Sequence, residues 1–91
     1  MTTSKITVER LNDEQITAQK IKSWPIWEKE VSQFEWYYSS TEQCLLLEGE
    51  VEVITPDENV KFGAGDFVTL PQGLACTWII RKAVKKHYNF I

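Results

Sequence analysis

The chain has 91 residues, 10 Lys and Arg against 13 Asp and Glu, and a net charge of −3. Its 43% hydrophobic and 25% charged residues are those of one globular domain, not of a disordered, collagen-like or coiled-coil chain. The acidic balance excludes an electrostatic nucleic-acid binder, which needs a basic face, and no apolar run approaches the roughly 18 residues of a membrane span.

Residues 5–10 alternate Ile6 and Val8 with polar neighbours and predict an edge strand. Residues 11–23 are polar and weakly patterned. They predict coil with at most one helical turn, capped by Asn12 or Asp13. Pro25 drives Trp24 toward extended geometry, so Trp24-Pro25-Ile26-Trp27 cannot lie inside a helix and reads as a flap over a sheet. From Phe34 onward the pattern is strand and turn. Phe34–Tyr38 is an aromatic strand. Glu42–Leu47 and Glu50–Thr55 are two strands reversing at Glu48-Gly49. Val60–Phe62 and Phe67–Leu70 are short strands, set off by turns at Pro56–Asn59, Gly63–Asp66 and Pro71–Gly73. Ala75–Ile80, with Cys76, Trp78 and Ile80 on one face, and Val84–Ile91 complete the series.

About eight short strands punctuated by Gly and Pro predict an all-β single domain. A jelly-roll β-barrel suits them, because closure hides the strand edges. Residues 1–23 are expected as an N-terminal strand and coil, and residues 24–91 as the barrel. Cys44 and Cys76 are too few for a disulfide framework and are expected as free, buried apolar fillers. The N-terminus lacks the apolar core of a signal peptide, so the expected location is cytoplasmic.

Two spaced motifs carry a resemblance. Glu42 is followed by six residues and Gly49. Gly65 is followed by five residues, Pro71, Gln72, Gly73, two residues and Cys76. With the Trp24–Trp27 segment and Lys86-His87-Tyr88, this resembles the cupins, and among them the small single-domain group with ureidoglycine aminohydrolase. The resemblance spans residues 24–91 and implies the double-stranded β-helix form of the jelly roll.

In most cupins two histidines and the Glu of the first motif, with a final His in the second, bind a metal. The histidine positions here fall on Glu35 and Tyr37 or on Trp36 and Tyr38, and the last ligand position holds Cys76. His87, the single histidine, lies outside both motifs. No metal cofactor is therefore expected. The alternative is a divalent transition metal such as zinc, held by Glu42 and Cys76 with Cys44 and His87 as further candidates.

Glu42 and Cys44 share strand parity and face one side. A carboxylate inside a barrel is costly unless paired, and Lys86 or a Tyr hydroxyl are its candidate partners. Glu42 is the candidate general acid or base. Trp36, Tyr38, Cys44, Cys76, Trp78, Lys86 and His87 are the candidate pocket residues, and Trp24 and Trp27 join the aromatic set that could stack on a flat ligand. Glu48, Glu50 and Glu52 read as a solvated hairpin face, and Lys82, Lys85 and Lys86 as a basic cluster.

Three functions remain open at this point. The first is a module binding a small organic molecule. The second is a hydrolase acting on a ureido or amide compound through Glu42. The third is a structural homodimer formed by sheet pairing.

Overall fold

The computed structural model describes residues 5–91; the first four residues of the N-terminal segment lie outside the described residues. Among the described residues seven strands form, all paired antiparallel: β1 (Thr7–Glu9), β2 (Ile26–Lys29), β3 (Ser32–Tyr37), β4 (Glu42–Ile54), β5 (Asn59–Gly63), β6 (Phe67–Leu70) and β7 (Ala75–Phe90). A helix, α1 (Asp13–Ala18), and a 3-10 turn, Ile21–Ser23, lie between β1 and β2.

The architecture rests on one long ribbon. β4 runs for 13 residues and β7 for 16, paired with each other from Glu42↔Phe90 to Ile54↔Thr77. The first half of β4 also pairs with β6, which in turn carries β1, and the matching half of β7 pairs with β2. The second half of β4 pairs with β5, and its β7 counterpart with β3. The ribbon thus belongs to two walls, and residues of both walls meet in one core that includes Cys44, Leu46, Val53, Trp78 and Ile80. This is the jelly roll the strand count predicts, built from fewer and longer strands.

The reason lies at Gly49. The spacing predicts a reversal there, but the strand passes through it with register shifts between Leu46 and Val51. Gly49 has φ of +113°, and a Cβ on it would sit 2.7 Å from the Ala83 carbonyl oxygen and 2.9 Å from the Val84 Cα. Only glycine fits both the conformation and the contact. A β-bulge adds residues on one strand, bends it and changes its phase. Before the bulge the even positions Glu42, Cys44 and Leu46 are buried in the barrel; after it the odd positions Val51 and Val53 are. Glu50 and Glu52 therefore point outward, where they pair with Lys82 at 3.0 Å and Arg81 at 2.6 Å. They lie on a central strand of the wall and not on an edge hairpin. Hydrogen bonding to Arg81 holds the Glu52 carboxyl below its ordinary range.

Two further readings of the N-terminal half change. Residues 11–23 are more ordered than coil. Asn12 and Gln15 form a reciprocal capping box, each side-chain oxygen accepting from the other's backbone N–H, which starts α1. The stretch after Pro25 is not a flap but strand β2, registered from Ile26↔His87 to Lys29↔Val84.

The intervening segment has a packing role. Leu45, Leu47, Phe67 and His87 lie on the outer side of the β4–β6–β7 wall. Ile21, fully buried, packs on Leu45 and Phe67, with Leu11, Ile16, Trp24 and Leu47 around them. Arg10 ties this end down through Asp66 at 2.9 Å.

Candidate functional site

The barrel interior holds one charged pair. The Lys86 ammonium lies 2.7 Å from Glu42 Oε2, and each residue is 4% exposed. β4 and β7 bring them together although 44 positions separate them. Burying two charges is expensive unless the geometry is good and other contacts add to it. Two indoles supply those contacts. Lys86 Nζ lies 4.8 Å from the Trp27 ring centre and 4.6 Å from that of Trp78. A desolvated cation over Trp gains about 2 kcal/mol. The ammonium is thus boxed by two ring faces and one carboxylate.

The box is braced in turn. Phe34 stacks on Trp78 at 6.1 Å and 11°, and Phe62 meets it edge-on at 5.7 Å. The Trp78 indole N–H donates to the Tyr38 hydroxyl at 3.0 Å. Burial and the nearby Glu42 charge push the Tyr38 phenol well above its ordinary value, so it stays protonated.

Beside the pair opens a cavity of about 230 Å³. Trp27, Phe34, Trp36, Tyr38 and Trp78 line it together with Glu42, Lys86, Tyr88 and Phe90. Trp36 and Phe90 are half-exposed and mark the open end. Glu42 Oε2 is taken by Lys86. Glu42 Oε1 makes no hydrogen bond among the described residues and is not sealed off, so the cavity holds one open acceptor.

The candidate residues of the sequence divide among four places. Trp36, Tyr38, Glu42, Trp78 and Lys86 converge on the cavity. Cys44 lies in the core beneath the pair, fully buried, with its thiol pushed up to about 12 by burial and, against the pull of Lys86, by Glu42. Cys76 lies behind Trp36, whose carbonyl accepts from its thiol at 3.7 Å; burial and Glu42 push it up to about 11. It faces a separate groove beside Tyr37 and Ile54. His87 is turned away from the cavity, its Nδ1 2.9 Å from the Trp24 carbonyl oxygen, and Trp24 packs with it outside the barrel against Phe67. Both cysteines are free.

Phe34, Tyr88 and Phe90 are cavity residues that the sequence reading did not single out. The signal for two of them was strand parity. Lys86, Tyr88 and Phe90 share one face of β7.

A metal of the cupin kind does not fit these donors. The carboxylate is engaged by an ammonium, the imidazole faces the other side of its sheet, and neither cysteine is among the residues that line the cavity. Among the described residues, no three side chains of His, Cys, Asp or Glu gather closely enough to share an ion.

The sequence matches the EutQ-like cupin domain over residues 16–88. The structure resembles that of a DUF861 family protein from Thermotoga maritima at 44% identity, covering 96% of this chain and 100% of that one, with a TM-score of 0.93. The EutQ protein of Clostridium difficile aligns at 17% identity over 71% of this chain and 52% of its own length, with a TM-score of 0.66. A putative ethanolamine utilization protein Q from Salmonella typhimurium aligns at 23% identity over 93% and 68%, also at 0.66. These last two likenesses concern the fold alone. No functionally curated protein matches the sequence. Among the described residues, no helix is long and apolar enough to cross a membrane.

Proposed function

The chain belongs to the EutQ-like cupin domain family, and on that footing we propose that it is a binding module for a small, flat, uncharged organic molecule. The observation that carries this reading is the internal balance of the cavity. Lys86 is already neutralised by Glu42 and faced by two indoles. A charged ligand would be desolvated against a site with no counter-charge to give it. A neutral one pays no such cost and gains the aromatic walls.

The polar requirement is equally narrow. Glu42 Oε1 is an open acceptor, so the ligand carries an N–H or O–H donor. The volume of about 230 Å³ lies below that of a drug-sized pocket, roughly 300–1,000 Å³, and suits a single ring with its substituents. Amides and ureides lie within this class. The protonated thiols and the absence of imidazole from the lining favour binding over hydrolysis. Free cysteines are in keeping with a reducing compartment such as the cytoplasm.

Three of the four tryptophans line the cavity, so their emission reports its occupancy. Titration with phenol, benzamide, benzoate and benzylammonium tests the reading. Phenol and benzamide are expected to bind at least about tenfold more tightly than either ion, a difference of about 1.4 kcal/mol. Equal or tighter binding of an ion, or no binding by any of the four, overturns it.

A further inference from the structure

We propose that Lys86 is a reactive amine that condenses reversibly with small uncharged aldehydes entering the cavity. The inference shares its cavity with the binding reading above and rests on neutral molecules entering it. Four observations carry it. Lys86 borders the cavity and is otherwise buried. Its nitrogen sits 2.7 Å from a carboxylate able to take and return a proton. The second oxygen of that carboxylate is open to the bound molecule. The two indole faces that hold the ammonium hold an iminium of the same charge equally well.

The proton inventory closes on these two residues. Glu42 Oε2 takes one proton from the ammonium, leaving an amine and a carboxylic acid. The amine lone pair adds to the aldehyde carbon, a C–N bond forms, and the carbonyl oxygen takes the proton from Glu42. Glu42 then removes a second proton from nitrogen and delivers it to the departing hydroxyl. The C–O bond breaks, water leaves, and a C=N bond forms. The net change is ammonium plus aldehyde to protonated imine plus water, and Glu42 ends as the carboxylate it began as. No oxidant or reductant takes part. Proximity of nucleophile and proton carrier is the arrangement that activates amines for carbonyl addition.

The test is reductive trapping in the native protein. Folded protein is incubated with benzaldehyde and sodium cyanoborohydride, then digested, and the benzylated lysines are mapped by mass spectrometry. Lys86 is expected to be labelled at least about tenfold faster than exposed lysines such as Lys82, against the order of exposure. Labelling that follows exposure, with Lys86 last or unlabelled, overturns the proposal. In Glu42→Gln the rate at Lys86 is expected to fall about 100-fold, as for loss of a general acid–base group. An unchanged rate in folded Glu42→Gln removes the proton relay from the account and overturns that part. The mapping on unmodified protein needs no variant, so a variant that fails to fold leaves the test intact. The two readings fail separately. Phenol binding without Lys86 labelling sinks only this one, and Lys86 labelling with tighter binding of ions sinks only the other.

Discussion

Lys86 and His87 are neighbours on β7, yet they belong to opposite regions of the molecule. Lys86 faces the barrel interior, where its charge is met by Glu42 and two indoles and a cavity stays open beside it. His87 faces the outer side, where Ile21, Leu45 and Phe67 form a closed second core and its ring nitrogen meets the Trp24 carbonyl. The two-residue period of a strand makes that division. The outer surface is covered by the segment that holds α1 and the 3-10 turn, whose Ile16 and Ile21 pack against it. The inner surface is walled by rings too large and too rigid to collapse onto one another, and keeps its space. Filling and hollowness are thus produced on the two faces of the same strands.

The largest expected effect is on the inner face. Lys86→Met or Glu42→Leu alone leaves one buried charge unpaired and should cost about 3–5 kcal/mol in urea unfolding. The double variant should recover most of that loss, because it removes both charges. A double variant no better than the singles would mean that the box needs its ions for shape.

On the outer face, Ile21→Ala should cost about 2–5 kcal/mol, the range for a fully buried aliphatic side chain. Phenol affinity in this variant should stay within about twofold of the parent, well under the tenfold that corresponds to 1.4 kcal/mol. A tenfold loss would show that the two faces are coupled and would break the comparison.

A smaller effect arises between the two regions, at Cys44. Its thiol is held at about 12 in the folded chain, above the ordinary value of 9.0. The folded pKa is the higher one, so the unfolded chain loses its proton first. The stabilising contribution is complete below about pH 9 and is lost as pH rises toward 12. In that window each pH unit should cost about 1.4 kcal/mol from this thiol. Thermal melts from pH 8 to 11 should fall more steeply for the parent than for Cys44→Ala. Parallel slopes would remove Cys44 from the account.

The fold was legible because its signals are local. Gly65, Pro71 and Gly73 mark turns that recur as turns, and Phe67–Leu70 forms as the strand its composition predicts. Glu42 was legible as an interior acid because of its place in the motif, and Lys86 as its partner because a buried carboxylate needs one. Gly49 was not. A glycine between two alternating runs fits a hairpin and a bulge equally well, and only the long pairing of β4 with β7 decides. The same gap hides why Glu42 is buried while Glu50 and Glu52, of the same parity, are not. His87 stands beside Lys86 in sequence but points elsewhere, since facing along a strand reverses at every residue, whereas Cys76 shares the inward face of Trp78 and is set apart from the cavity by its place at the other end of the strand, behind Trp36. Trp27 as one wall of the ammonium box depended on β2 joining β7, and a Pro-bounded stretch of four residues gives little warning of that.

The irregularity at Gly49 also sets how this architecture can diverge. It works as a frame shift inside one strand, so the two walls of the barrel read their residues in different phases. Losing or gaining a single position there would turn Glu50 and Glu52 toward the core and Val51 and Val53 away from it. Because both walls pack into that one core, a single backbone position guards the whole interior.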